Sequence, residues 1–223
     1  MVAIKCINPQ HHTSDVFKIV FQGDSITEAY RNLLCREDMG EGYVRMLTHM
    51  LTIEFPKKKF EFFNCGIGGD KVGDLRARWG VDCLNLEPDV VSIFIGVNDV
   101  VGRYFWSRPT RTLDFEKDYR DLLEQTRDSL DAEIILLTPF IDFKTNRNLA
   151  HKLFLKQKID IIKKLSREFN TTLISLDIIF SKVIEKSMSN DWTTDGIHPT
   201  SKGHRLIAQS WLKGSNEIFA TDN

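Results

Sequence analysis

The sequence predicts an α/β fold, a three-layer α/β/α sandwich around a central parallel five-stranded sheet. Three observations lead there. Apolar periodicity switches repeatedly between strand-like runs and helical spacing along the chain, the pattern of helices covering both faces of a parallel sheet. The runs VVSIFI and EIILLT are apolar at nearly every position, as central parallel strands buried on both faces must be. No internal repeat, low-complexity tract or linker interrupts 223 residues, a length that one domain can fill. One domain over residues 1–223 is expected, with 1–15 a flexible N-terminal extension.

The elements follow in order. Strands are expected at Phe17–Phe21, Phe60–Phe63, Val90–Ile95, Ile134–Thr138 and Thr172–Leu176. Val44, Leu47 and Leu51 share one helical face, and Pro56 closes that segment. Val72, Leu75 and Trp79 repeat the same i, i+3, i+7 spacing. Phe115, Tyr119, Leu122, Thr126 and Leu130 form a longer stripe, residues from Asn148 to Phe169 another, and Ser201–Leu212 the last.

Composition excludes several classes. A formal net charge of −1 supplies no field to draw nucleic acid or an anionic membrane. The run Lys57-Lys58-Lys59 follows Pro56 and precedes an apolar strand, which reads as a solvated turn. The opening MVAIKCINPQHHTSD lacks the apolar core, about seven residues or more, of a signal peptide. No apolar stretch has the length of a membrane span. Cys6, Cys35, Cys65 and Cys83 show no C-x-x-C spacing, so neither a zinc knuckle nor a redox pair is indicated. Reduced thiols and a cytoplasmic location are expected.

In an open parallel sheet, ligands occupy the crevice beyond the carboxyl ends of the strands. Four features fall at such ends or on loops that could reach them. Gly23-Asp24-Ser25 ends the first strand and sets a hydroxyl on a sharp turn. That hydroxyl caps a helix or, with a base beside it, attacks a substrate. Asn64-Cys65-Gly66-Ile67-Gly68-Gly69-Asp70 follows the second strand. Its glycines let backbone N–H groups face a ligand. The spacing fits neither phosphate-binding glycine pattern, and Asp70 would repel a phosphate, so an oxyanion site is preferred. Gly96-Val97-Asn98-Asp99 follows the third strand, where a carboxamide can donate to a developing negative oxygen. Asp195-Gly196-Ile197-His198-Pro199-Thr200 precedes the last helix. An aspartate three residues before a histidine can accept Nδ1–H and leave Nε2 free as a base. Pro199 restricts His198 to extended backbone, and Thr200 or Ser201 can cap the helix. Of six histidines, His198 is the one so placed.

Taken together, these blocks resemble those of the SGNH hydrolases, also called the GDSL esterase/lipase family, from Phe17 to about Leu212. The resemblance implies a flavodoxin-like sheet and ester hydrolysis without a metal or organic cofactor. It makes Ser25 the nucleophile, His198 the general base and Asp195 the residue that orients the imidazole. The oxyanion donors it implies are the backbone N–H of Ser25, the backbone N–H of Gly69 and the side chain of Asn98. Asp24, Asp70 and Asp99 are expected to shape their loops. The segments GEGYV, GDLRARW, PDVVSIFIGVNDV and LLTPF are similar to those of intracellular bacterial acetylxylan esterases. Those relatives remove acetyl groups from xylo-oligosaccharides, so the implied partner is a small acetylated oligosaccharide. One departure is visible: Trp192 stands three residues before Asp195, where those relatives place a tryptophan immediately before the aspartate.

Specificity is less legible. The loop from Val100 to Arg108 clusters Tyr104, Phe105 and Trp106 with Arg103 and Arg108, suited to stacking on a sugar, walling an acyl pocket or packing between copies of a homo-oligomer. Ala29–Gly40 and Phe140–Asn148 are expected to complete the rim. A lipase, acylhydrolase or thioesterase acting on longer chains with the same triad is the alternative, and a non-catalytic binding protein is the third class.

Overall fold

The computed structural model describes residues 16–102, 108–146, 148–187 and 191–220. Five strands form one sheet: β1 (Val16–Gly23), β2 (Lys59–Gly66), β3 (Val90–Phe94), β4 (Glu133–Leu137) and β5 (Thr172–Ile174). All pairings are parallel and the order is β2-β1-β3-β4-β5, so the expected sandwich is the observed one. Around it lie α1 (Ser25–Glu28), α2 (Tyr43–Glu54), α3 (Val72–Asp82), α4 (Val97–Val101), α5 (Thr112–Ser129), α6 (Leu149–Glu168), α7 (Leu176–Lys186) and α8 (Ser201–Phe219). None of the described helices is long and apolar enough to cross a membrane.

The two-residue strand period explains the layers. On β3, Val90 and Phe94 belong to a core with Val44 and Leu47 of α2, Phe180 of α7 and Trp211 of α8. Val91 and Ile93 point the other way, into a core with Leu75 and Trp79 of α3, Phe115 and Tyr119 of α5 and Leu165 of α6. Ser92 is fully buried among the first set, and its Oγ accepts the indole N–H of Trp211 at 2.9 Å. Thr126, polar within an apolar stripe, likewise takes the indole N–H of Trp79 at 3.1 Å. Both contacts satisfy groups that would be costly to bury alone.

Among the differences from the sequence expectation, two concern the end of the chain. The fifth strand ends at Ile174, and Leu176 opens α7 behind Ser175 rather than closing the strand. The run LISLDII is apolar enough for either state, and short apolar runs do not declare their period. The last helix continues beyond Leu212 to Phe219, which buries its ring against Phe17, Phe55, Phe60 and Trp211.

Register positions the site. Gly23 pairs with Gly66 of β2 and with Phe94 of β3. Three strands therefore end level, and the segments that follow them emerge side by side. The order of strands reverses between β1 and β3, the switch point at which such sheets hold ligands.

Candidate active site

Asp24 caps α1, its Oδ1 accepting the Ile26 N–H at 3.0 Å. Ser25 is thereby the first helical residue, a position whose N–H has no partner within the helix. The turn is tight enough to require glycine before it. A Cβ on Gly23 would sit 2.2 Å from Thr27 Oγ1 and 2.6 Å from the Phe94 carbonyl. Asp24 is 2% exposed, and burial pushes its carboxyl up to about 7 despite the Ile26 N–H and the positive influence of His198.

The fourth block arrives from the far end of the chain. A single antiparallel bridge joins Thr193 to Pro199, and the Thr194 N–H donates to the His198 carbonyl at 2.9 Å. Inside this closed loop, Asp195 Oδ1 accepts the N–H groups of Ile197 at 2.9 Å and His198 at 2.8 Å. Its Oδ2 lies 2.7 Å from His198 Nδ1, and His198 Nε2 lies 2.9 Å from Ser25 Oγ. The sequence neighbours Asp195 and His198 are thus brought to a serine 173 positions from the histidine. Partial burial raises the Asp195 carboxyl, but its bonds from the His198 N–H, the imidazole and the Ile197 N–H outweigh that and hold it below the ordinary carboxylate range. An imidazole so bonded can accept a proton at Nε2 while Nδ1–H stays on the carboxylate.

The second and third blocks face the same mouth. Gly69 adopts φ +83°, a left-handed conformation that side chains resist. Its neighbour Gly68 donates its N–H to Glu28 Oε2, which ties the glycine loop to α1. Asn98 is 8% exposed, and its Nδ2 donates to the Asp70 carbonyl at 3.0 Å. A carboxamide nitrogen carries two protons, so one remains for a ligand. Asp70 bonds Arg78 at 3.0 Å, and Asp99 accepts the Val72 N–H at 3.1 Å. Burial pushes Asp99 up to about 6. All three aspartates are built into loop and helix starts, as expected.

Some residues escaped the sequence reading. Asp142, 2% exposed, accepts the Thr193 hydroxyl at 3.2 Å, and its N–H donates to the Gly196 carbonyl at 2.8 Å. It braces the loop that bears Asp195 and His198. Phe140, Ile141 and Asp142 are accordingly buried rather than lining a rim, with Phe140 stacked on Phe180 at 3.6 Å between ring centres. Glu28 and Arg78 are similarly engaged. No local pattern marks these three charged residues, because their partners lie in distant segments. Arg103, Tyr104, Phe105 and Trp106 of the aromatic loop lie outside the described residues.

A parallel sheet with a serine, a histidine–aspartate pair, a glycine loop and an asparagine at its switch point defines an ester hydrolase of the SGNH type. The GDSL-like lipase/acylhydrolase family matches residues 21–206, and the chain belongs to that family; it is a carboxylic ester hydrolase. The chain is 32% identical over 204 residues to an acetylxylan esterase of Geobacillus stearothermophilus, covering 88% of this chain and 92% of that one. A putative GDSL-like lipase from Parabacteroides merdae superposes with a TM-score of 0.84 at 32% identity, covering 90% of this chain and 95% of that one. A catalytic mutant of the Geobacillus acetylxylan esterase, a serine replaced by alanine, superposes with a TM-score of 0.81 at 30% identity over 89% of this chain and 93% of the other.

Proposed function

We propose that this chain removes small acyl groups, acetyl foremost, from carbohydrates such as xylo-oligosaccharides, through a Ser25-His198-Asp195 triad. The observation that bears most weight is the unbroken relay from Ser25 Oγ through both imidazole nitrogens to Asp195, at 2.9 and 2.7 Å. Ser25 Oγ attacks the ester carbonyl carbon while His198 Nε2 takes the hydroxyl proton. The former carbonyl oxygen, now negative, is met by the N–H groups of Ser25 and Gly69 and the second Nδ2 proton of Asn98. As the tetrahedral centre collapses, the sugar oxygen leaves with the proton from His198, and the acyl group stays on Ser25. Water then attacks the acyl carbon and gives a proton to His198; as this second tetrahedral centre collapses, His198 returns that proton to Ser25 Oγ and the free acid departs. Asp195 accepts Nδ1–H throughout and offsets the charge of the imidazolium.

The acetyl preference is supported by the relatives, two of which are acetylxylan esterases.

The test is acetate release from acetylated xylo-oligosaccharides, with p-nitrophenyl esters of increasing acyl length beside it. A steep fall beyond about four carbons is expected, whereas a rise towards about eight carbons overturns the small-acyl reading in favour of lipolysis. Ser25→Ala is expected to bring both reactions near background. Residual turnover above about a tenth would rule out Ser25 as nucleophile.

A further inference from the structure

Arg78 stands on α3, outside the four blocks, yet its guanidinium reaches both the end of β1 and the segment following β2. Nε donates to Asp70 Oδ2 at 3.0 Å. Nη1 donates to Asp82 Oδ2 at 2.7 Å and to Gln22 Oε1 at 3.2 Å. Nη2 approaches the Gly23 carbonyl at 3.5 Å, the longest of the set. Gln22, itself fully buried, completes the ring by donating to the Asp82 carbonyl at 2.6 Å. The Arg78 side chain is 16% exposed and that of Asp70 7%, so solvent screens this pair far less than the exposed Arg111–Asp114 pair.

Asp70 is where this network meets the chemistry. Gly69, whose N–H is one of the proposed oxyanion donors, is its immediate predecessor, and the Asp70 carbonyl holds the Asn98 carboxamide at 3.0 Å. Gly23, two residues before Ser25, lies at the other end of the same guanidinium. We propose that Arg78 is a positioning residue for the oxyanion donors: by fixing Asp70 against the end of β1, it sets Gly69 and Asn98 relative to Ser25. The proposal rests on the triad reading above. It needs arginine in particular, since lysine cannot present several N–H groups in a planar fork to partners on different segments. The donors matter chiefly once charge has developed on the substrate oxygen. Their displacement therefore lowers kcat while leaving ground-state binding nearly intact.

Arg78→Lys is expected to reduce kcat about 10- to 100-fold on p-nitrophenyl acetate, with KM changed less than about threefold. The same substitution in an Asn98→Ala background is expected to cost several-fold less, because one of the donors it would misplace is already gone. Arg76→Ala is the control: Arg76 shares α3 but pairs outward with Asp118 and Asp121, and kcat is expected to stay within about twofold. Additive losses in the double variant, a rise in KM at constant kcat, or equal losses in Arg76→Ala and Arg78→Lys would each overturn the assignment. If Arg78→Lys fails to fold, Asp70→Asn removes the charge from the same bond and is expected to show a smaller loss confined to kcat. An unaltered kcat there overturns the proposal. Ser25→Ala in the same assay separates the two hypotheses. Turnover retained in that variant refutes the triad, whereas additive behaviour with Ser25→Ala inactive refutes only the role of Arg78.

Discussion

In the proposed mechanism the Ser25 hydroxyl becomes a nucleophile through its neighbours, and each neighbour has a definable physical task. Asp24 shapes the turn that presents Ser25, through a bond to the Ile26 N–H. Asp195 differs in kind, since one oxygen binds loop N–H groups and the other the imidazole. Its side chain is 51% exposed, so water can partly replace what a substitution removes. Asp195→Asn presents an N–H where an acceptor is needed, which favours the wrong tautomer of His198. We expect kcat for p-nitrophenyl acetate to fall about 10²- to 10³-fold, less than for a fully enclosed carboxylate. An Asp195→Asn enzyme of near wild-type kcat would place the orienting role on another group.

At the scale of elements, the loop before α8 joins folding to chemistry. Thr200 caps that helix by accepting the Gly203 N–H at 3.3 Å, and its hydroxyl donates to the Asp191 carbonyl at 2.6 Å. The residue that starts the helix thus also closes the loop holding His198. Thr200→Ala is expected to lower the unfolding free energy by about 1 kcal/mol, measured as a shift of the urea midpoint at constant slope. An unchanged midpoint would mean that water serves the helix start as well as the hydroxyl does. The same scale shows why Leu176 opens α7 instead of closing the fifth strand. This residue continues an apolar run from β5, and Asp177 is held by the Thr138 hydroxyl at 2.6 Å from the end of β4. That contact lies outside any sequence window.

Across the whole molecule, buried titratable groups shape the response to pH. His204 on α8 accepts the Tyr43 N–H at 3.2 Å and stacks on the Tyr43 ring. Burial, helped by the charge of His198, pushes its imidazole down to about 4. In the unfolded chain a histidine takes up its proton near about 6.5. Between these values the unfolded state binds more protons, so His204 adds stability that is full above about 6.5 and is lost as pH falls towards 4. Asp24 and Asp99 act oppositely: with folded values of about 7 and about 6, their contributions are lost as pH rises through those values. His204→Asn keeps an acceptor without the titration. The stability of the wild type relative to this variant is expected to drop by on the order of 2 kcal/mol from pH 7 to pH 4. A difference independent of pH would show that His204 titrates alike folded and unfolded.

The sequence by itself determined the layered α/β class, the central place of the strand at Val90 and the four segments that end at one mouth. These depend on periodicity and on turn residues, both of which are local. The tertiary structure alone decided that β1, β2 and β3 end level, that His198 comes within 2.9 Å of Ser25, and that Asp142, Glu28 and Arg78 brace the loops. Those outcomes depend on strand register and on bonds between segments tens of residues apart, which local patterns of hydrophobicity and charge do not encode.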